Sequence, residues 1–328
     1  MVRARVGVLR GGMSHEYEVS LATGGSVLKH LPAVYRGHDI LIDRQGVWYW
    51  NGLPTPPVQI ARQVDVFFNA LHGEYGEDGR VQQLLDNLAV AYTGSRTAPS
   101  ALGMNKAMAK DIFRRAGLRV PPGMVVRKEN NGQEREEAVR IVAREVFQTI
   151  SPPWVVKPND RGSSVGLFFA RSVGELAQAI MMAWEISPAI LVEHYLRGRE
   201  ATCGVVDEFR GAENYALPPI EIRHPAGKPV WDYQDKYSGE TEEICPGNFK
   251  AEEKREIENL AVAAHRALGL RHYSRSDFIL TPHGIYLLET NSLPGLTDES
   301  LLPKALKVVG CPYPNFLDHV IGLAMRGQ

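Results

Sequence analysis

Residues 273–301 read YSRSDFILTPHGIYLLETNSLPGLTDESL, and the rest of the chain arranges itself around them. Two apolar runs, Asp277-Phe278-Ile279-Leu280 and Ile285-Tyr286-Leu287-Leu288, flank the break Pro282-His283-Gly284. A short break that closes on glycine suits a β-hairpin, because glycine accepts the positive φ such loops require. With residues 282–284 as the loop, Asp277 falls opposite Glu289. Side chains alternate along a strand, so Glu289 and Asn291 share a face and Asp277 joins them across the pair. Oxygen donors then converge on one place, the set that a hard divalent cation such as Mg²⁺ takes beside phosphate oxygens. Taken singly, either carboxylate would suit a wet sheet face. The apolar residues between them argue for a partly buried hairpin, and the turn Asn291-Ser292-Leu293-Pro294-Gly295 reads as part of a site.

The chain has 328 residues, 44% of them hydrophobic, enough for two or three domains with cores of their own. A net charge of −1 offers no basic surplus for nucleic acid or an anionic membrane. No apolar run approaches the roughly 18 residues of a membrane span, and residues 1–5 lead straight into a strand, so the expected location is the cytoplasm. Cys203, Cys245 and Cys311 lie far apart without CxxC spacing and read as reduced thiols.

A short apolar strand at residues 5–9 runs into Gly11-Gly12, and residues 19–31 carry helical spacing. Strand, glycine turn and helix predict an open parallel sheet with ligands at the strands' carboxyl ends. The turn is not GxGxxG, which disfavours a nicotinamide dehydrogenase. His15-Glu16-Tyr17-Glu18-Val19 lacks the second histidine of HExxH, which excludes that zinc-peptidase motif. Residues 65–70 form a second buried strand ending at His72-Gly73-Glu74-Tyr75-Gly76-Glu77-Asp78-Gly79, a turn that faces the same crevice. His72 suits a turn cap and a site residue equally.

Helices are predicted at 80–88, 105–116, 134–147, 172–184, 250–268, 300–309 and 315–325. In the middle of the chain, the strand Trp154-Val155-Val156-Lys157-Pro158 precedes a Gly/Ser-rich loop at residues 159–166. Backbone N–H groups in such a loop cradle phosphate, with Lys157 adding fixed positive charge, although the spacing is not that of a P-loop and a hairpin tip has the same composition. Residues 232–239, DYQDKYSG, are polar and aromatic without periodicity, as in a loop that closes over ligand.

The stretches HEYEVS, ALHGEYGEDG, YTGS, MNKAMAK, VVKPNDRGSSVG, LVE…GRE, DYQDKY, RSDF and LLETNSLPGLTDESL, in this order, resemble the D-alanine:D-alanine ligase family of the ATP-grasp superfamily. The resemblance implies an α/β, three-domain ATP-grasp fold with an N-terminal open parallel-sheet domain. Its parts would be an N-terminal substrate-binding domain at 1–99, a central ATP-grasp subdomain at 100–192, and a C-terminal subdomain at 193–328 with the metal and catalytic site. It implies ATP and two Mg²⁺ (or Mn²⁺) ions as cofactors, two D-alanine molecules as substrates, and a homodimer.

By matching motif, Lys106, Lys157 and Lys236 would meet the ATP phosphates, with Ser163 in the loop over them. Glu193, Tyr195, Leu196 and Glu200 would hold the nucleoside. Asp277, Glu289 and Asn291 would bind the metal ions, in agreement with the hairpin reading. Glu16 would hold the ammonium of the first D-alanine, bonded to Ser163 and Tyr237, with His72 nearby. Arg275 and the Gly295 N–H would face the reacting carbonyl, and Ser300 and Leu301 the second carboxylate. The implied reaction makes D-alanyl-D-alanine through an acyl phosphate, for peptidoglycan precursors.

The chain departs from the family pattern at Met13, Asn105 and Ser276, none of which removes a reacting group. Tyr237 favours the dipeptide over D-alanyl-D-lactate, the product of relatives that lack this tyrosine. A nucleotide-binding module on the same fold would lack some of Arg275, Asp277, Glu289 and Asn291.

Overall fold

The computed structural model describes residues 4–128, 135–162, 166–224 and 241–327. Ser163, Lys236 and Tyr237, and with them the loop expected at 232–239, lie outside the described residues.

Three sheets follow one another along the chain. In the first, Ala4–Gly11 lies parallel to Tyr35–Ile42 on one side and to Val66–Asn69 on the other. Ala91–Tyr92 continues the parallel edge, and Trp48–Trp50 and Leu53–Pro54 add an antiparallel one. This is the open parallel sheet expected from strand, glycine turn and helix. The turn itself needs glycine: Gly11 has φ +89°, and a Cβ there would lie 2.2 Å from the Ile42 carbonyl oxygen.

The second sheet is antiparallel, with Ala189–His194 between Gly123–Arg127 and Trp154–Pro158, and Phe168–Ala170 at its edge. Helices Arg135–Thr149 and Val173–Ile186 cover it, burying Trp154, Ile180 and Trp184. In the third sheet, Arg199–Phe209 pairs with Tyr273–Thr281, which pairs in turn with Gly284–Asn291.

The strand Ala189–His194 pairs only with strands of the second sheet. Phe113 and Leu118, placed by sequence in the central unit, bury against Phe278, Leu287 and Ile257 of the third. The last helix, Tyr313–Arg326, returns to the start of the chain and packs Phe316, Leu317 and Val320 in one core with Val6, Val66 and Phe68. Apolar faces find cover wherever the chain supplies it, and fully burying each such side chain contributes about 1.5–3 kcal/mol.

The hairpin also differs from expectation, in two ways that cancel. Thr281 pairs with Gly284, so the loop is the two residues Pro282-His283 and not three. The register then slips by one between Asp277 and Phe278, which leaves Leu288 as the extra residue of a β-bulge. Asp277 therefore still stands opposite Glu289.

Candidate active site

A cleft of about 1300 Å³ opens where the three sheets meet. The C-terminal hairpin lines it with Arg275, Asp277, Glu289 and Asn291, and the following turn and helix start with Gly295, Ser300 and Leu301. The middle sheet and the connection after it bring Lys157, Glu193, Tyr195, Leu196 and Glu200. Lys106 enters at the start of the helix Lys106–Arg115, and Glu16 and His72 come from the two glycine-bearing turns of the first sheet. Every site residue expected from the sequence and lying in a described segment lines this one cleft.

Asp277 is the most engaged of the hairpin carboxylates. Its Oδ1 accepts from Arg275 Nε at 3.0 Å and from Thr202 Oγ1 at 2.5 Å, while Oδ2 accepts from Arg275 Nη2 at 3.0 Å and Asn291 Nδ2 at 3.1 Å. The guanidinium is largely buried, which disfavours its charge, yet Asp277 and then Glu289 more than offset this and raise its pKa. Across the strand pair, Glu289 Oε2 stands 3.6 Å from Lys106 Nζ. Lys106 also donates to the Arg161 carbonyl at 2.6 Å, tying its helix to the loop that begins the Gly/Ser stretch. Asn159 makes the same connection through the backbone, accepting from Lys106 N at 2.9 Å and, with its side chain, from Ala107 N at 3.0 Å.

Behind this front lies a buried charge cluster. Glu193 is 3% exposed and forms ion pairs with two lysines, Lys110 Nζ at 2.7 Å and Lys157 Nζ at 2.9 Å. Burial pushes the Lys110 ammonium down to about 8, partly offset by Glu193. Burial also opposes the charge on Lys157, but Glu193 and Glu289 outweigh it and its pKa is raised. The Glu193 carboxyl, held by both lysines against the effect of burial, is lowered. Lys110, Thr202 and Glu77 carry no expected site role from the sequence, although Lys110 stands beside Lys106 on the helix expected at 105–116. Lys110 sits one helical turn after Lys106, a spacing that puts both on one face, and this was the available signal.

Also lining the cleft, ligand atoms of Glu16, His72 and Glu77 lie within 4.8 Å of one another. His72 Nδ1 faces Glu77 Oε1 at 3.3 Å, and Nε2 faces Thr23 Oγ1 at 2.9 Å. A carboxylate only accepts, so the proton sits on Nδ1 and both ring nitrogens are engaged. The histidine orients the Glu77 carboxylate, and a group of this kind attracts an ammonium better than a metal that needs an imidazole lone pair. Gly162 closes over the same place: a Cβ there would lie 3.0 Å from Glu16 Oε1.

The remaining residues are placed as follows. Ser300 Oγ accepts from Thr297 N at 3.0 Å and starts the helix Leu301–Val308. Gly295 packs on it, since a Cβ there would lie 2.9 Å from Ser300 Oγ. Glu200 is held by His224 Nε2 at 2.7 Å. The Tyr195 N–H already donates to the Pro153 carbonyl at 2.8 Å, and its ring meets Phe169 edge-on.

Sequence models of the D-Ala D-Ala ligase C-terminus and N-terminus match residues 112–322 and 52–95. The chain belongs to the D-alanine–D-alanine ligase family. A relative named D-alanine–D-alanine ligase in Geobacter sulfurreducens is 42% identical over 97% of this chain and 93% of its own length. Another of that name, in Pelotomaculum thermopropionicum, is 36% identical over 98% and 97%.

Among solved structures, the VanG D-Ala:D-Ser ligase of Enterococcus faecalis superposes with a TM-score of 0.85 at 30% identity, covering 98% of this chain and all of that one. The Bacillus anthracis D-alanine–D-alanine ligase complexed with ATP gives 0.78 at 29% identity, with 98% of each chain covered. The architecture is the ATP-grasp fold of this family.

Proposed function

We propose that the chain is an ATP-dependent ligase that joins two D-alanines into D-alanyl-D-alanine, for peptidoglycan precursors. The observation that carries this reading is the meeting in one cleft of a lysine group, an oxygen-donor hairpin and a paired-carboxylate pocket. A carboxylate is a poor acylating agent, so the carboxylate of the first D-alanine takes the γ-phosphoryl group of ATP, giving an acyl phosphate and ADP. Lys106 and Lys157 line the cleft, where fixed positive charge is useful during this transfer. Lys236 and Ser163, outside the described residues, are also assigned to the phosphates in this reading. Glu193, Tyr195, Leu196 and Glu200 lie along the part of the cleft assigned to the nucleoside.

Asp277, Glu289 and Asn291 offer oxygen donors alone, which fits Mg²⁺ or Mn²⁺, and two such ions when bound would offset the charge on the transferring group. Glu16 holds the ammonium of the first D-alanine, supported by His72 and Glu77 and, in this reading, by Ser163 and Tyr237. The second D-alanine places its carboxylate at Ser300 and Leu301, where the helix start favours an anion. Its amine, as the free base, attacks the acyl phosphate carbonyl, and phosphate departs from the tetrahedral oxyanion. Arg275 and the Gly295 N–H donate to that oxyanion, and losing one such donor typically costs about 3 kcal/mol.

No helix among the described residues is long and apolar enough to cross a membrane. We place the enzyme in the cytoplasm as a homodimer, which light scattering would check. The reading is tested by ADP release from ATP and Mg²⁺ on adding D-alanine. Release that depends on D-alanine supports it, and bound ATP without release would refute it.

A further inference from the structure

The hairpin that carries Asp277 and Glu289 is irregular at one place, the bulge at Leu288. A bulge leaves ladder groups unpaired, and each needs another partner when buried. Here the Leu288 carbonyl accepts from Lys110 Nζ at 2.8 Å. That ammonium is 2% exposed and is held from its other side by Glu193 Oε1 at 2.7 Å. One turn earlier on the same helix, Lys106 Nζ stands 3.6 Å from Glu289 Oε2. Two lysines at i and i+4 thus grip successive residues of the strand, the carbonyl of 288 and the carboxylate of 289. Unlike Lys106, Lys110 does not line the cleft. Without the bulge, regular pairing would set Leu288 opposite Asp277 and Glu289 opposite Ser276, on the other face of the sheet.

We propose that Lys110 is a positioning residue for the ligase reaction: its ammonium clamps the Leu288 carbonyl, fixes the bulge and thereby keeps Glu289 across from Asp277. The inference rests on the reading of Asp277, Glu289 and Asn291 as metal ligands. It makes the register of the hairpin, and not only its residue types, part of the site. It also gives the buried Glu193 a structural task, since that carboxylate orients the clamp.

The test is Mn²⁺ binding, followed by electron paramagnetic resonance in the presence of a non-hydrolysable ATP analogue, on wild type, Lys110→Met and Lys110→Arg, with thermal melts alongside. The Met variant is expected to melt cooperatively, to bind Mn²⁺ about 10–100-fold more weakly and to lose kcat, with KM for the first D-alanine unchanged. Should Lys110→Met fail to fold, Lys110→Arg, which keeps a charge facing Glu193, carries the same titration. It is expected to weaken Mn²⁺ about threefold or more, because the planar guanidinium does not reproduce a point donor. A folded variant with wild-type Mn²⁺ affinity overturns the proposal. Mn²⁺ binding that is unaltered by Glu289→Gln would instead remove the metal-ligand reading, and the clamp's purpose with it.

Discussion

Replacing Glu193 by glutamine keeps the shape of the side chain and removes the one negative charge between Lys110 and Lys157. Breaking a buried charge cluster in this way typically costs about 3–5 kcal/mol, because what remains is uncompensated. The structure divides that cost. Burial has already pushed Lys110 from 10.5 to about 8. Without Glu193 its pKa falls further, and once it passes pH 7 the residue sheds its proton instead of staying charged. In wild type the Lys110 pKa lies about one unit above pH 7, so this residue adds only on the order of 1 kcal/mol to the loss there. The remainder falls on Lys157, whose raised pKa depends on Glu193 first and Glu289 second once burial is set aside.

The sign of the pH dependence follows. Glu193→Gln removes the largest charge that raises either lysine, so both folded pKa values should fall relative to wild type. The Lys110 pKa is already below its unfolded value, so the unfolded chain binds more protons there and the variant's stability rises with pH. The gap to wild type should therefore shrink between pH 7 and pH 9, by on the order of 1 kcal/mol from Lys110 alone. Chemical denaturation of both proteins at the two pH values measures it. A gap that is constant or widens with pH would refute the coupling. Adding Lys110→Met to Glu193→Gln should recover part of the loss, since a buried charge is then replaced by an apolar chain.

Arg275→Ala should lower kcat by about 100–1000-fold and also lower the melting temperature, because it strips the mostly buried Asp277 of its bidentate partner. Glu289→Gln, by contrast, should abolish ADP release with the fold intact. Wild-type rates from either would remove their assigned roles. His272, buried and held at φ +68°, accepts from the Gly94 N–H at 3.1 Å, and burial lowers its pKa to about 3. The unfolded histidine protonates below about 6.5, so wild type should lose up to roughly 1.4 kcal/mol per pH unit from this group on acidification towards pH 4. His272→Asn, which tolerates the positive φ and still offers an acceptor, should flatten that part of the profile; parallel profiles would contradict the account.

Much of the site was legible because its chemistry sits in short runs of sequence. Asp277, Glu289 and Asn291 share a strand pair, and period-2 alternation suffices to bring them together. Their facing was read correctly through an incorrect turn: the loop is one residue shorter than expected, and the bulge at Leu288 restores the register. No local signal marks that bulge, because it is held by Lys110, 178 residues away. For the same reason the Lys110–Glu193–Lys157 cluster stayed hidden, since pairing across a helix and two strands has no periodicity. The helix Thr97–Met104, rich in small residues and without an amphipathic stripe, was also missed. The parallel character of the first sheet is legible where glycine turns follow apolar strands, but its strand order is not. Which helix covers which sheet did not: Tyr313–Arg326 closes the first core from the far end of the chain.

The central claim is the identity of the product. The most direct measurement is the mass of the product formed from ATP, Mg²⁺ and D-alanine, alone and with equal D-serine or D-lactate. The account predicts D-alanyl-D-alanine as the main product in every mixture, formed with one ADP per dipeptide. A predominant D-alanyl-D-serine or D-alanyl-D-lactate mass would contradict it.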